Sequence, residues 1–225
     1  EFRRVLFRSQ SFNDLKLMGT TERRQREKEQ RRMEILSSAR EIFFAKGLEG
    51  STMDEIADKA ELSKGTLYLY FKSKDELYVS LLSEGTEIFT NMMLESISQD
   101  MKAEDKLRSI GNAYYRFYDE YPQYFKILFL LQHGEFSDDK VDQDIQSNCM
   151  FEAGRSLNLI ESILNEGVEQ GEFTIKDSWQ ATLFVWAAAN GVFTIAAEKH
   201  HEFMKEFNTK ELLDFTMDKI ISSLK

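Results

Sequence analysis

The stretch that decides the fold is ELSKGTLYLYFKSKDEL, residues 61–77. It places Gly65 inside a segment with helical character, where glycine is less favourable than alanine by roughly 1 kcal/mol. Two tyrosines and two lysines then follow in close succession, at Tyr68, Tyr70, Lys72 and Lys74. A helix that only filled a core would not favour this combination. The stretch therefore predicts contact with another molecule.

Helix start and stop signals divide the surrounding sequence into short helices. Residues 33–47 have apolar residues at helical spacing, with Met33 on the apolar face, and Gly47 ends them. N-caps are expected at Thr52, Ser63 and Ser73, the first and last with a glutamate three residues later. Two short helices joined by a tight turn at Glu61 and packed on a third form a helix-turn-helix unit.

In such a unit the N-terminal end of the second helix enters the major groove, where base edges are read. Gly65 would let the backbone approach DNA closely, while Leu67 and Phe71 should turn inward. Thr52 would present its hydroxyl and nearby N–H groups to a phosphate. The candidate contacts from these residues are Thr52, Ser63, Lys64, Gly65, Thr66, Tyr68, Lys72 and Lys74.

The longer run STMDEIADKAELSKGTLYLYFKSKDEL, residues 51–77, resembles the DNA-binding domain of the TetR/AcrR family of transcriptional regulators. The resemblance covers about residues 29–85. It implies an all-α fold, with a three-helix helix-turn-helix DNA-binding domain at 18–84 and a helical ligand-binding and dimerisation domain at 85–225. It adds Tyr70 to the DNA contacts, with a core position as the alternative. Glu61 stands where many members have glycine, and a left-handed conformation there would cost about 1 kcal/mol.

Charge is distributed unevenly along the chain. Residues 1–17 carry a net charge of +2 and residues 18–80 carry none, whereas residues 81–225 hold 13 basic and 25 acidic residues. Six of the ten residues from Arg23 to Arg32 are basic, which favours a solvated helix start or an arm along a DNA groove. The run RRVLFRS at 3–9 resembles a translated sequencing adapter, so 1–17 is expected to be a non-native or disordered leader.

An unusual density of aromatic residues marks YYRFYDEYPQYFKILF, residues 114–129, in the acidic part of the chain. A compact core would not need all of them, so an apolar pocket with a few hydroxyl groups is the favoured interpretation. Ordinary core packing is the alternative. The expected ligand is a small lipophilic or aromatic effector, and the candidate pocket residues are Tyr114, Phe117, Tyr118, Tyr121, Tyr124, Phe125 and Phe129.

The last two helices are expected to form a homodimer interface, because in the TetR/AcrR family these helices form a four-helix dimer contact. The expected interface residues are Ala187, Ala188, Asn190, Gly191, Leu212, Phe215 and Ile220. Asn190 could equally bond within the subunit. The most apolar run, residues 183–197, is 15 residues long and shorter than the roughly 20 that a membrane span needs, so no membrane partner is expected.

No enzyme signature is present: the sequence has no glycine-rich phosphate loop or nucleophile elbow, and its three histidines lack metal-ligand spacing. We expect no catalytic residue, metal or cofactor. The sequence predicts a cytoplasmic, ligand-responsive repressor released from a palindromic operator in double-stranded DNA. The alternatives are an activator or co-repressor-dependent regulator, and a small-molecule binding protein with a vestigial helix-turn-helix.

Overall fold

The computed structural model describes residues 2–130, 141–197 and 207–225, with side chains from Thr21 onwards except that of Leu130. Its helices are α1 (Phe2–Lys46), α2 (Met53–Lys59), α3 (Lys64–Tyr68), α4 (Lys74–Glu95), α5 (Ala103–Glu120), α6 (Pro122–Phe125), a π-helical turn (Lys126–Leu130), α7 (Gln143–Glu169), α8 (Ser178–Ala197) and α9 (Thr209–Leu224). No strand occurs among these residues, and the predicted all-α fold is confirmed.

The chain forms two compact units, Glu1–Tyr78 and Val79–Lys225, and the division falls within α4. The domain limits of 84 and 85 stay predictions. The helical backbone of α1 includes residues 2–17, for which the sequence predicts a non-native or disordered leader. Their origin outside the natural protein also stays a prediction.

The first unit is built around a small core contributed by every one of its helices. Ile35, Ala39 and Phe43 lie one turn apart on α1 and are buried, and the Phe43 ring meets Tyr78 edge-on at 5.7 Å. Met33 is 64% exposed, so its placement on the apolar face was wrong. Its neighbour Ile35 is buried instead, because the helix is rotated so that the 35–39–43 row faces the core.

The predicted caps define where the short helices begin. Thr52 Oγ1 accepts the Glu55 N–H at 3.2 Å, and the Glu55 carboxylate accepts the Thr52 N–H at 3.1 Å, which completes a capping box. Ser63 Oγ accepts the Thr66 N–H at 3.1 Å and caps α3. At α4, Ser73 accepts the N–H of Glu76 at 3.0 Å.

Glu61 occupies the turn between α2 and α3 with φ of 55°, in the left-handed region. It is the one non-glycine residue with positive φ among those described. The turn is closed by the Leu62 N–H, which donates to the Ala57 carbonyl at 2.9 Å. The turn thus has the strained geometry that the departure from glycine at this position predicts.

The second unit packs α5, α7, α8 and α9 around a core that includes Leu107, Phe117, Ile163 and Phe193. Pro122 is the first residue of α6, and Tyr121 is the C-cap of α5, so the single proline separates two helices as predicted. Where α7 ends, the chain turns back so tightly that a Cβ on Gly167 would lie 2.2 Å from a Phe173 ring carbon.

Candidate nucleic-acid interface and effector cavity

The N-terminal end of α3 is a small exposed surface with a bare backbone at its centre. Ser63, Lys64 and Gly65 are exposed, and a Cβ added to Gly65 would meet only Ser63 Oγ, at 3.9 Å. The Ser63 and Thr66 hydroxyls lie 2.8 Å apart and share a hydrogen bond. The fold of the chain itself therefore does not require glycine at position 65.

Lys64 is held by an acidic residue of the neighbouring helix. Its ammonium lies 2.7 Å from Asp54 Oδ1 on α2, and both side chains are exposed. The hydrogen bond to Asp54 raises the pKa of Lys64, so the lysine keeps its charge at neutral pH. A phosphate approaching Lys64 would have to compete with this carboxylate.

The side chains that follow divide between the surface and the core. Leu67 and Phe71 are fully buried, which confirms that they turn inward. Tyr68 is 43% exposed and Tyr70 is half-buried. Leu69 lies beside Tyr68 and is 80% exposed, a surface position that its apolar side chain does not predict.

The side chains of two predicted contacts, Thr52 and Lys74, make bonds within the first unit. Lys72 is exposed, and its N–H donates to the Glu76 carboxylate at 2.6 Å. The Thr52 hydroxyl serves the capping box of α2. The Lys74 ammonium donates to the carbonyl of Leu48 at 2.8 Å and to that of Ser51 at 3.2 Å. Both lie in the α1–α2 loop, residues 47–52.

Charged residues of the first unit are extensively paired, and residues 18–80 hold 12 basic and 12 acidic residues. Arg23 pairs with Glu27, Arg31 with Glu34, Lys46 with Glu55 and Lys59 with Glu41. The Arg32 guanidinium lies 4.2 Å from the centre of the Phe71 ring and donates to the Tyr70 carbonyl at 3.4 Å. Exposed pairs of this kind contribute little to stability, about 0–1 kcal/mol each.

A cavity of about 210 Å³ lies within the second unit, between α4, the π-helical turn, α7 and α8. None of the described residues that line it carries a charge. They are Leu82, Thr86, Phe89, Leu128, Phe129, Cys149, Ala153, Ser156, Leu157 and Trp186.

The few polar groups of the cavity wall are either hydrogen-bonded to the chain's own backbone or uncharged. Thr86 Oγ1 donates to the Leu82 carbonyl at 2.8 Å, and Ser156 Oγ donates to the Ala153 carbonyl at 2.9 Å. Burial raises the pKa of the Cys149 thiol, which stays protonated at neutral pH. The described part of the lining is thus suited to an apolar, uncharged group, and none of its residues would neutralise a carboxylate.

Of the seven predicted pocket residues, the structure brings only Phe129 to this cavity. Tyr114 and Phe125 both pack on Phe193, with ring centres 4.5 and 5.1 Å from it. Tyr114 also lies 4.8 Å from Phe89, whose ring lines the cavity. Six residues of the predicted pocket do not line the cavity: Tyr114, Phe117, Tyr118, Tyr121, Tyr124 and Phe125. Some of them form a cluster of aromatic rings behind the cavity wall.

The predicted interface residues lie partly on an exposed apolar face of α8 and α9. Phe215 is 58% exposed and Ala187 is also exposed, with Ala188, Gly191 and Leu212 half-buried. Ile220 is wrongly placed in this set, because it is 1% exposed and packs inside its own subunit. Asn190 accepts a hydrogen bond from the Tyr114 hydroxyl, so its amide bonds within the subunit.

Among the described helices, α8 is the one whose length and composition would allow it to cross a membrane. A single such helix is weak evidence, since a core helix of a soluble protein meets the same criteria. Its buried face packs on α7 and α9.

The described residues include no group of three or more histidine, cysteine or acidic residues that could hold a metal ion. The histidines His133, His200 and His201 lie outside the described residues.

Known proteins resemble this chain both in the first unit and over most of its length. The model for bacterial regulatory proteins of the tetR family matches residues 35–81. The HTH-type transcriptional activator FasR of Mycolicibacterium smegmatis is 30% identical over 102 residues, 45% of this chain and 47% of FasR. The fatty acid metabolism regulator protein of Bacillus subtilis is 28% identical over 149 residues, 65% of this chain and 73% of that protein. The chain thus matches about half the length of FasR.

Among solved structures, the transcriptional regulator FadR from Bacillus subtilis in complex with stearoyl-CoA has the same fold, with a TM-score of 0.69. The match is 21% identical and covers 86% of this chain and 99% of that one. A helix-turn-helix unit followed by a separate helical unit defines a class of DNA-binding regulators. The first unit of this chain thus matches the TetR family of bacterial regulatory proteins, and the chain has the fold of the solved FadR structure over most of its length.

Proposed function

We propose that the protein is a cytoplasmic, homodimeric repressor that binds a palindromic operator and is released from it by an acyl thioester. The observation that carries the proposal is the course of α4. This helix begins in the first unit at Lys74 and contributes Leu82, Thr86 and Phe89 to the cavity wall of the second. A ligand that displaces these residues acts on the same helix that follows the DNA-reading segment.

The DNA-binding half of the proposal rests on the exposed end of α3. Lys64, Gly65 and Tyr68 are all accessible there, and the backbone around Gly65 is open to a close approach. One such short helix reads too few base pairs for specificity, so two copies are needed to read two half-sites. The exposed apolar face with Phe215 and Ala187 is where the second copy would pack.

The effector class follows from the chemistry of the cavity. The lining residues that the structure describes are uncharged, which favours an alkyl chain and disfavours a free carboxylate, since none of them would pair with it. An acyl chain esterified as a thioester has lost that charge and can leave its polar head outside. The names of the relatives, a fatty acid metabolism regulator and a FadR bound to stearoyl-CoA, support the same class.

The cavity is smaller than the roughly 300–1,000 Å³ of sites that enclose a drug-sized ligand. A long acyl chain would therefore have to widen it, and this requirement links occupancy to helix movement. Since the coupling is reciprocal, operator and ligand weaken each other's binding by the same factor.

An activator is the second candidate, because FasR, a relative, is named a transcriptional activator. In that case the same ligand would strengthen operator binding or leave it unchanged. The sign of the effect separates the two candidates.

Stearoyl-CoA, added below its critical micelle concentration, is expected to weaken binding of the full chain to its selected operator by about tenfold or more. Coenzyme A alone should have a far smaller effect because it lacks the alkyl chain. Stearate should also have a far smaller effect, because its free carboxylate is charged. The measurement is operator fluorescence anisotropy at each ligand concentration. Equal release by coenzyme A alone would contradict an acyl-chain effector.

Cys149, the single cysteine, provides an independent readout of cavity occupancy. Because burial raises its pKa, alkylation by N-ethylmaleimide should be slow at pH 7 and accelerate as the pH rises above the ordinary thiol range. Stearoyl-CoA should slow it further at every pH. Leu157→Trp should abolish this protection, whereas Leu159→Trp, on the same helix but away from the cavity, should retain it.

A further inference from the structure

Phe129 separates the cavity from aromatic rings that pack behind it. Its own ring lines the cavity. The centre of that ring lies 5.2 Å from the Tyr114 ring and 5.0 Å from the Phe125 ring, neither of which lines the cavity. A displacement of the Phe129 ring would therefore extend the cavity to the faces of Tyr114 and Phe125.

Phe129 is also the less constrained of the two phenylalanines in the cavity wall. Phe89 is 6% exposed, lies within the regular helix α4 and packs on Phe117 at 5.1 Å. Phe129 is half-buried and belongs to the π-helical turn, a rare conformation that is frequent at functional sites. A partly exposed ring can move without overpacking a core, whereas a buried ring cannot. A ligand that widens the cavity thus meets the least resistance at Phe129.

The two rings behind Phe129 are held firmly in place. Tyr114 is 4% exposed, its hydroxyl donates to the Asn190 amide oxygen, and its ring lies 4.5 Å from that of Phe193. Burial raises the pKa of Tyr114, so the hydroxyl keeps the proton that it donates. Phe125 is 1% exposed and packs on the same Phe193 ring at 5.1 Å. A chain that displaced Phe129 would stop at these two rings.

The exposure of the lining residues gives the direction in which an acyl chain would enter. Ala153 on α7 is exposed and Trp186 on α8 is 41% exposed, whereas Thr86 and Phe89 on α4 are at most 9% exposed. A polar head group stays in water, because burying it without partners is costly. The head would therefore lie near Ala153 and Trp186, and the end of the chain would point towards α4 and the rings that pack on Phe89.

We infer that Phe129 is a specificity-determining residue, whose ring sets the length of acyl chain that the cavity accepts without rearrangement. Shorter chains fit the existing 210 Å³, and longer ones must displace the ring. The inference rests on the proposed function, since it takes an acyl thioester as the effector.

The dependence of affinity on chain length should therefore show a break. Each methylene group that is buried raises the affinity by about fourfold. In the wild type this gain should fall once the chain reaches Phe129. Phe129→Ala should move the break to longer chains and tighten stearoyl-CoA binding by about tenfold or more, with octanoyl-CoA changed by less than about twofold. Phe129→Trp should move the break to shorter chains.

The experiment measures the concentration of each acyl-CoA that halves the rate of Cys149 alkylation by N-ethylmaleimide, in the full chain and without DNA. The probes are octanoyl-, decanoyl-, dodecanoyl-, tetradecanoyl-, hexadecanoyl- and stearoyl-CoA, each below its critical micelle concentration. The matched control is Phe151→Ala, which removes an exposed phenylalanine of α7 that does not line the cavity and should leave the break in place. Phe129→Trp keeps an aromatic wall, so it provides the test even if Phe129→Ala does not fold.

A break at the same chain length in the wild type and both Phe129 variants would overturn the inference, as would an equal change in affinity at every length. A break that moves equally in Phe151→Ala would also overturn it. If acyl-CoA protects Cys149 with the expected break but does not release the operator, the inference holds and the proposed repressor mechanism fails. If no acyl-CoA protects Cys149, the proposed effector class fails and the inference fails with it.

Discussion

Replacing Gly167 by alanine is expected to destabilise the second unit by about 3 kcal/mol. The new Cβ would lie 2.2 and 2.5 Å from two ring carbons of Phe173 and 3.0 Å from the Ala103 Cβ. Phe173 is buried, so its ring cannot move aside without displacing its neighbours. Denaturant unfolding followed by tryptophan fluorescence reports on this unit, because both tryptophans, Trp179 and Trp186, lie in α8.

Gly154→Ala is the matched control for this prediction. Gly154 lies on the same helix, α7, but a Cβ there would have nothing within 4 Å. Its replacement should stabilise the helix by about 0.5–1 kcal/mol, since alanine is the better helix former. Equal stability changes in the two variants would mean that the contact with Phe173 is not what requires glycine at position 167.

Replacing Gly65 by alanine is expected to weaken operator binding while leaving the fold at least as stable. The Cβ has open space within the protein, so helix propensity alone predicts a gain of roughly 1 kcal/mol in unfolding free energy. Against DNA the same methyl group would hold the backbone away, at a loss of about 1–3 kcal/mol in binding, comparable to one mismatched base pair. Operator titration and thermal unfolding of the same preparation measure both quantities.

Gly154→Ala again provides the control, because it adds a methyl group to a helical glycine in the other unit. Its operator affinity should equal that of the wild type. If Gly65→Ala also binds the operator like the wild type, the glycine does not mark a close approach to DNA, and the account of α3 given above is wrong.

The first unit could be predicted closely because its signals are local. The caps at Thr52 and Ser63, and the turn at Glu61, each depend on residues within four positions of one another. The burial of Leu67 and Phe71 likewise follows from helical spacing. The rotation of α1, by contrast, was wrong at Met33, because several apolar residues there satisfy the same periodicity.

The second unit was less predictable because its cavity depends on how separate helices meet. Aromatic density could not distinguish the cavity wall from the ring cluster behind it, and of the predicted set only Phe129 lines the cavity. Leu82, Cys149 and Trp186 come from three different helices and share no sequence pattern. The Lys74 hydrogen bonds were missed for the same reason, since their acceptors lie 23 and 26 residues away.

Ile220 and Asn190 illustrate the limit for surfaces. Ile220 was assigned to the dimer face from its helix, yet it is buried in its own subunit, whereas Asn190, for which both alternatives were open, bonds to Tyr114 within the subunit. Apolar spacing marks two faces of α9, and the sequence does not say which one the same subunit covers. Phe215, on the other face, is exposed and stays a candidate for the contact between copies.

The most direct test of the account is selection of random duplex DNA by the purified full chain, at two salt concentrations, beside the Lys64→Ala, Tyr68→Ala double variant. The wild type is expected to enrich a palindrome of two half-sites centred about one helical turn or more apart, and the double variant is not. Salt-sensitive binding without an enriched sequence, or the same palindrome enriched by the double variant, would contradict sequence recognition by α3.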